Sequence, residues 1–326
     1  MSIIHFLNVG EGDCTWINHN SGHNTIIDVS CAKQIVKKSY EASSALDSHD
    51  YLGGNYNQKA YPDNPIVYLQ KFGVESVFRF ILTHPDMDHM DGIKIFFDTF
   101  SPINFWDTDN NKTMSSGSWN GKYDKADWDF YQSIRKESIS PKVLHIYAGN
   151  TGKYFNEDEN GKGDGDGLYI LAPTIELITA ANESGDYNNC SYVLLYRTSN
   201  YKILFAGDSG EDTWDYIITN YSNDVSNIDV LIAPHHGRAT GGNDDYLDTL
   251  NPRLSLLGNA ASEYIDYNAW LSRDLLHFTN NQAGNIILDI QPGKIRVLFS
   301  NETFAKKCNN YCYDNNFDAY FVGELQ

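Results

Sequence analysis

The stretch FILTHPDMDHMDG, residues 80 to 92, constrains this chain more than any other, because it sets His84, Asp86, Asp88 and His89 close together directly behind an apolar run. The run VFRFIL, residues 77 to 82, reads as a buried strand that stops before Pro85, and GIKIFFDTF after Asp91 has helical apolar spacing. This predicts a strand-to-helix loop for the polar cluster. In extended chain, positions 84, 86 and 88 project to one side and His89 to the other. The pattern therefore offers three ligands to one cation and leaves the fourth for a neighbour. Asp88 and Asp91 are also good helix caps, but capping employs one or two carboxylates and leaves both histidines unexplained.

Two further strand ends supply partners. NYKILFAGDSGED has an apolar strand ending at Gly207 and Asp208, and SNIDVLIAPHHGR has another ending at His235 and His236. A carboxylate such as Asp208 can bridge two cations, and neutral imidazole is a common ligand for transition metals. Alone, a Gly-Asp after a strand is an ordinary turn and a His pair is weak. With the first cluster, and in this order, they define a metal-ligand set.

The succession NVGEGD at 8 to 13, TIIDVS at 25 to 30, THPDMDH at 83 to 89, FAGD at 205 to 208 and APHHG at 233 to 237 resembles the metallo-β-lactamase superfamily. More narrowly, it is similar to the soluble metallo-hydrolase domain of ComEC-type competence proteins. The resemblance spans most of the chain and implies a four-layer αββα sandwich with the metal site at one edge. It also implies that Asp88, His89 and one of His235 or His236 hold one ion, with Asp208 bridging to a second ion on His84 and Asp86. His235, nearer the strand end, is the expected ligand, and His236 is left either as a hydrogen-bonding support behind the ligands or as a general acid. Asp88, His236 and Asn189 are the expected catalytic groups. Asp13 and Asp28 are either hydrogen-bond supports for the ligands or turn residues.

Two departures from the wider superfamily enrich the site in oxygen: Asp86 stands where many members have a second His, and GDYNNCSYVLL has Asn188 and Asn189 but no His. Oxygen ligands suit manganese or magnesium better than imidazole-rich sets do. Asn189 can ligate, position a phosphate or support its loop. One or two divalent ions, zinc or manganese, are the expected cofactors. A cation so held brings the pKa of water from about 16 toward about 7 and stabilises charge on the attacked group, giving hydrolysis without a protein nucleophile.

Apolar strand patterns at 3 to 9, 24 to 29, 77 to 83, 167 to 172, 192 to 197, 201 to 206, 228 to 233, 253 to 258, 285 to 290 and 294 to 299 exclude an all-helical fold. Helical patterns at 65 to 73, 91 to 100, 126 to 137 and 211 to 221 make it mixed α/β. Because the ligands run from His84 to His236, a domain boundary between them would split the site. One catalytic domain over 1–326 is expected, with insertions near 33–63, 104–125 and 156–167. The last, NEDENGKGDGDG, has the composition of a calcium loop without the EF-hand spacing, so it reads as a solvated loop.

Lys and Arg number 24 against 43 Asp and Glu, a net charge of −19. Long duplex DNA, which requires many phosphates to be neutralised, is disfavoured, whereas a small phosphorylated molecule or a short single strand needs only the site's cations and a local Lys or Arg. Arg238 is one such candidate. A phosphodiesterase or nuclease is thus the first function class. Hydrolysis of a lactam, thioester or lactone is the alternative, and a non-catalytic effector keeping the fold is a third class. The sequence names no protein partner. No run is apolar enough to span a membrane, and the start reads as a strand without a basic leader, which leads to a cytoplasmic expectation. Cys14, Cys31, Cys190, Cys308 and Cys312 are odd in number and read as reduced thiols. His5, His19, His23, His49, His145 and His277 fall outside the motifs, and His145, on a predicted strand, comes nearest to being an exception.

Overall fold

The computed structural model of the protein describes residues 1–33, 54–115, 118–119, 121–136, 140–239, 244–260 and 264–326. In chain order the strands begin with β1 (Ser2–Phe6), β2 (Thr15–Asn18), β3 (Asn24–Ile27), β4 (Arg79–Ile81), β5 (Asn104–Trp106) and β6 (Lys142–Leu144). Next come β7 (Leu168–Ala172), β8 (Val193–Thr198), β9 (Tyr201–Phe205), β10 (Val230–Ile232), β11 (Leu254–Leu257) and β12 (His277–Thr279). The last are β13 (Ile286–Gln291), β14 (Lys294–Phe299), β15 (Cys312–Asp314) and β16 (Ala319–Leu325). Between them lie helices α1 (Pro65–Lys71), α2 (Ile93–Phe100), α3 (Lys125–Ile134), α4 (Ile175–Ser184), α5 (Glu211–Val225), α6 (Tyr246–Leu250) and α7 (Tyr267–Leu271).

The strands form two sheets, ordered β15-β16-β14-β13-β1-β2-β3-β4-β5-β6 and β12-β11-β10-β9-β8-β7. Ile4, Phe6, Ile27 and Ile81 of the first sheet share a core with Leu194, Ile203, Phe205 and Ile232 of the second. Their chain neighbours point the other way. Ile26 and Phe80 meet Leu69 of α1, Phe96 and Phe97 of α2 and Tyr131 of α3, while Leu195, Leu204 and Leu231 meet Trp214 and Ile217 of α5, Leu247 of α6 and Trp270 of α7. Strands buried on both faces read as continuous apolar runs, which is why the sequence marks them so clearly. The result is the expected αββα sandwich.

Helix α2 buries Ile93, Phe96, Phe97 and Phe100, a single face at helical spacing. Its first turn is capped from another helix: Gly92 N and Lys94 N donate to Asp127 Oδ2 and Oδ1 at 3.0 and 3.2 Å. Asp88 and Asp91 are therefore not its caps.

The predicted insertions are partly revised. Residues 34–53, most of the first, lie outside the described residues, as does His49. The second opens as β5, whose parallel pairing with β4 and β6 makes residues 104–106 part of the sheet. The acidic third segment is anchored at its end: Asp166 is buried and accepts from Arg79 Nη2 at 3.1 Å and pairs with His23 Nδ1 at 2.9 Å. Asp158 accepts the Asn160 and Lys162 N–H groups at 2.8 and 2.9 Å, so its carboxylate closes a turn. His145 lies just past β6 and pairs through Nδ1 with Asp107 O at 3.0 Å, away from the other motifs. All five cysteines are free. No helix among the described residues is long and apolar enough to cross a membrane.

Two core histidines give the fold a defined acid response. His5 stacks on Trp16 with centroids 4.3 Å apart and pairs with Tyr68 Oη at 2.9 Å, and His19 Nε2 pairs with Thr25 Oγ1 at 2.8 Å. Burial lowers each from 6.5 to about 3. Between those values the unfolded chain holds protons that the folded chain does not, so stability falls as pH drops through that window, by up to about 1.4 kcal/mol per pH unit per ring. Urea unfolding from pH 7 to 4.5 is expected to show a shallower pH slope for His5→Phe than for the wild type. Identical slopes would refute the assignment to His5.

Candidate metal centre

The site forms where strands of both sheets end. In the first sheet β3 and β4 run parallel with Ile27 opposite Ile81, so Asp28 and the Thr83-His84 segment emerge together. In the second, β9 and β10 are parallel with Phe205 opposite Ile232, so Asp208 and the His235-His236 pair leave at a common edge. Polar residues beyond the carboxyl ends of parallel strands are well placed to bind ligands, because the backbone ladder stops there.

The local geometry departs from extended chain. Met87–His89 is a 3₁₀ turn. It carries His89 inward, with its ring 4.2 Å from that of His84 between centroids, and leaves the Asp86 side chain 37% exposed. The expectation that positions 84, 86 and 88 face one way and His89 another fails because a 3₁₀ turn advances about 120° per residue rather than about 180°. Beyond β10, both His235 and His236 have positive φ, 50° and 59°. Such conformations are uncommon outside glycine and concentrate at functional sites. The turn buries His236, while the His235 side chain stays 23% exposed.

Hydrogen bonds fix which ring nitrogen faces inward. Asp28 Oδ2 accepts from Thr83 Oγ1 at 2.7 Å and pairs with His89 Nδ1 at 2.8 Å, so the proton of His89 sits on Nδ1. Because the Thr83 hydroxyl donates to Asp28, it can only accept from His84 Nδ1, 3.1 Å away. Asp13 Oδ1 likewise accepts from His236 Nδ1 at 3.1 Å. In their neutral form all three rings thus present an Nε2 lone pair, and Asp13 and Asp28 fix tautomer and orientation as supports of metal-ligating histidines do.

Those nitrogens converge on Asp208. His89 Nε2 is 3.4 Å from Asp208 Oδ1, and His84, His235 and His236 Nε2 are 3.9, 3.8 and 3.7 Å from Oδ2. His84 Nε2, His89 Nε2, His236 Nε2 and Asp208 Oδ1 are buried without hydrogen-bond partners. Each such atom costs about 1–3 kcal/mol if nothing binds it. Three sets of ligand atoms lie close enough to share an ion: His84, His89 and Asp208; Asp88, His89 and His236; and Asp13, Asp208 and His236. The donor set, imidazole nitrogen with carboxylate oxygen, fits zinc or manganese.

The electrostatics demand positive charge. Burial pulls His236 and His89 down, but Asp13 and Asp208 outweigh it and raise His236 to about 9, and Asp208 and Asp28 raise His89 well above its usual range. Asp208 is held well below the usual carboxylate range, burial being overcome by His89 and His236. His84, mainly through burial, moves down. A divalent ion meets the same demand and leaves the rings neutral.

Several sequence expectations are rearranged. His236, not His235, stands with Asp88 and His89, because the left-handed turn swings it inside. Asp86 joins none of the three-atom sets among the described residues. Its Oδ1 instead pairs with the Lys112 ammonium, a residue the sequence reading did not single out. Asn189 has a buried Oδ1 without a partner, packed against Gly210, and its Nδ2 donates to Asp186 at 3.2 Å. Arg238 follows the His pair, and its Nε is buried and unpartnered.

No family model and no curated protein sequence matches the chain. Among solved structures it is similar to Igni18, a metallo hydrolase from the archaeon Ignicoccus hospitalis, at 11% identity and a TM-score of 0.47, over 89% of this chain and all (100%) of the other. YhfI from Bacillus subtilis, a metallo-β-lactamase fold protein, gives 10% and 0.45 over 86% of this chain and 96% of that one. Zn(2+)-bound PqqB from Methylobacterium extorquens gives 11% and 0.44 over 89% and 100%.

Proposed function

We propose that this protein is a metal-dependent hydrolase of small or single-stranded phosphodiesters. The observation behind this reading is the convergence of buried, unpartnered His84, His89 and His236 Nε2 with Asp208 Oδ1. A divalent ion there, zinc or manganese, supplies Lewis acidity and brings water into a reactive protonation range at neutral pH. His89, His236, Asp88 and Asp208 are the residues that would hold it. Asp28 and Asp13 keep the protons of His89 and His236 on Nδ1. Asp88 and Asp208, both held below the usual carboxylate range despite burial, stay ionised and so remain available to a cation. His235 is the more exposed ring of the pair, and burial holds its pKa below the usual histidine value, so it is neutral at pH 7 and able to accept a proton or to hydrogen-bond the substrate. Asn189 is retained as a group for orienting the substrate.

The phosphodiester assignment is supported by charge. At −19 the chain is unsuited to long duplex DNA. Locally, however, the Lys112 ammonium pairs with Asp86, and Arg238 directly follows the His235-His236 pair with a buried, unpartnered Nε. The similarity of the motifs to ComEC-type domains supports the same substrate class, and the free thiols support a cytoplasmic setting.

Purified protein is expected to bind between about one and about two divalent ions per chain, to melt at lower temperature after chelation, and to lose at least one ion on His89→Ala. Manganese- or zinc-loaded enzyme should turn over a chromogenic phosphodiester and a short single strand, with weak or no action on plasmid DNA. Full metal occupancy in His89→Ala sinks the ligand assignment. Turnover confined to acyl esters would move the site to carbonyl chemistry, and efficient plasmid cleavage without small-substrate activity would overturn the inference from charge.

A further inference from the structure

Lys112 enters the site from the segment between β5 and α3, and its ammonium pairs with Asp86 Oδ1. The lysine is fixed in place. Its side chain is 17% exposed, its N–H donates to Asn110 Oδ1 at 3.1 Å, and Nζ lies 5.3 Å from the centroid of the Tyr187 ring. Asn110 is itself held, donating through Nδ2 to Tyr131 Oη at 2.9 Å and accepting at its carbonyl from Arg135 Nη2 at 2.8 Å. Tyr187 Oη donates to Asn111 Oδ1 at 2.8 Å, tying the far side of the segment to the same wall. A mobile surface lysine has no such scaffold.

The position of the ammonium has a chemical consequence. Asp86 Oδ1, the oxygen 3.9 Å from His84 Nε2, is the one that Lys112 holds, so an ion shared by His84 and Asp86 through that oxygen would compete with the ammonium. Two cations on one carboxylate oxygen repel strongly at that range. An ammonium has three donors and no acceptor capacity, so it suits a carboxylate at position 86 and would find nothing comparable in an imidazole. Accordingly, Asp86 is missing from every set of converging ligand atoms among the described residues.

We propose that Lys112 is a built-in second cation: its ammonium takes Asp86, the centre holds one resident divalent ion on Asp88, His89, His236 and Asp208, and the remaining Nζ–H donors bind an anionic oxygen of the substrate. This rests on the metal-hydrolase reading above. A charge-assisted donor beside the metal gives the substrate's phosphate a fixed partner where a dinuclear site would use an ion. Lys112 is thus a substrate-binding residue and also sets the metal count.

The test is equilibrium dialysis of wild type, Lys112→Met, Lys112→Gln and Lys112→Arg against zinc and manganese, with elemental analysis, melting curves to confirm folding, and KM for a chromogenic phosphodiester at one equivalent of metal. Wild type and Lys112→Arg should saturate at about one tightly bound ion per chain, while the Met and Gln variants bind a second ion at least about tenfold more tightly than wild type does and raise KM about tenfold. Two tightly bound ions in wild type overturn the proposal, as does a second-ion affinity in both neutral variants within about threefold of wild type. Wild type that binds no divalent ion sinks the metal-centre reading itself, an outcome distinct from two ions.

Discussion

Asp208→Asn is expected to lower turnover of a chromogenic phosphodiester by more than about tenfold and to weaken metal binding, while the protein stays folded. The carboxylate stands between the Nε2 atoms of four histidines at 3.4 to 3.9 Å, and it is the one anionic group common to most of the converging ligand atoms. An amide of the same shape keeps the packing but replaces one oxygen with an NH₂ donor. Without metal, Asp208 is the counter-charge of the raised His89 and His236 rings, so the variant is also expected to melt lower than metal-free wild type. Turnover at the wild-type rate, or unchanged metal content, would reduce Asp208 to a turn residue.

Gly12→Ala is expected to cost about 3 kcal/mol or more and to strip the metal from the centre, an effect as large as removing a ligand. Gly12 has φ +87°, and a Cβ on it would sit 1.9 Å from the carbonyl oxygen of Asp88 and 2.9 Å from Ser30 Oγ. The obstruction is backbone, so relief requires moving the 3₁₀ turn that carries Asp88 and His89. Gly22 is the matched control: its φ is +88°, but nothing lies within 4 Å of the added methyl, so Gly22→Ala should cost only the conformational penalty of about 1–2 kcal/mol. Urea unfolding and metal content of the two variants separate steric from conformational effects. Equal losses would show that the contact with Asp88 is immaterial.

The candidate metal-ligand cluster was legible because polar residues interrupt apolar runs where strands stop, and His84, Asp208 and the His235-His236 pair all sit at such interruptions. Both doubly buried sheets announced themselves for the same reason. Side-chain direction was not legible. Alternation holds only for extended chain, and the 3₁₀ turn at Met87–His89 and the left-handed pair at His235 and His236 break it, which is why His89 turned out to face inward and His236 replaced His235. A strand as short as β5, of three residues, leaves too little periodicity to detect. Lys112 carried no signal at all, standing as a lone lysine in DTDNNKT whose setting depends on neighbouring Asn110 and on Asp86 and Tyr187 from two other stretches of chain.

The candidate ligands divide between the layers: Asp88 and His89 follow β4 of one sheet, and Asp208 and His236 follow β9 and β10 of the other. An ion bound to both acts as a rivet through the rim of the sandwich. Its binding energy would belong only to the assembled sandwich, so metal affinity and the strength of the joint between the sheets would rise and fall together, and chelation should speed hydrogen exchange at the ends of the strands that meet there.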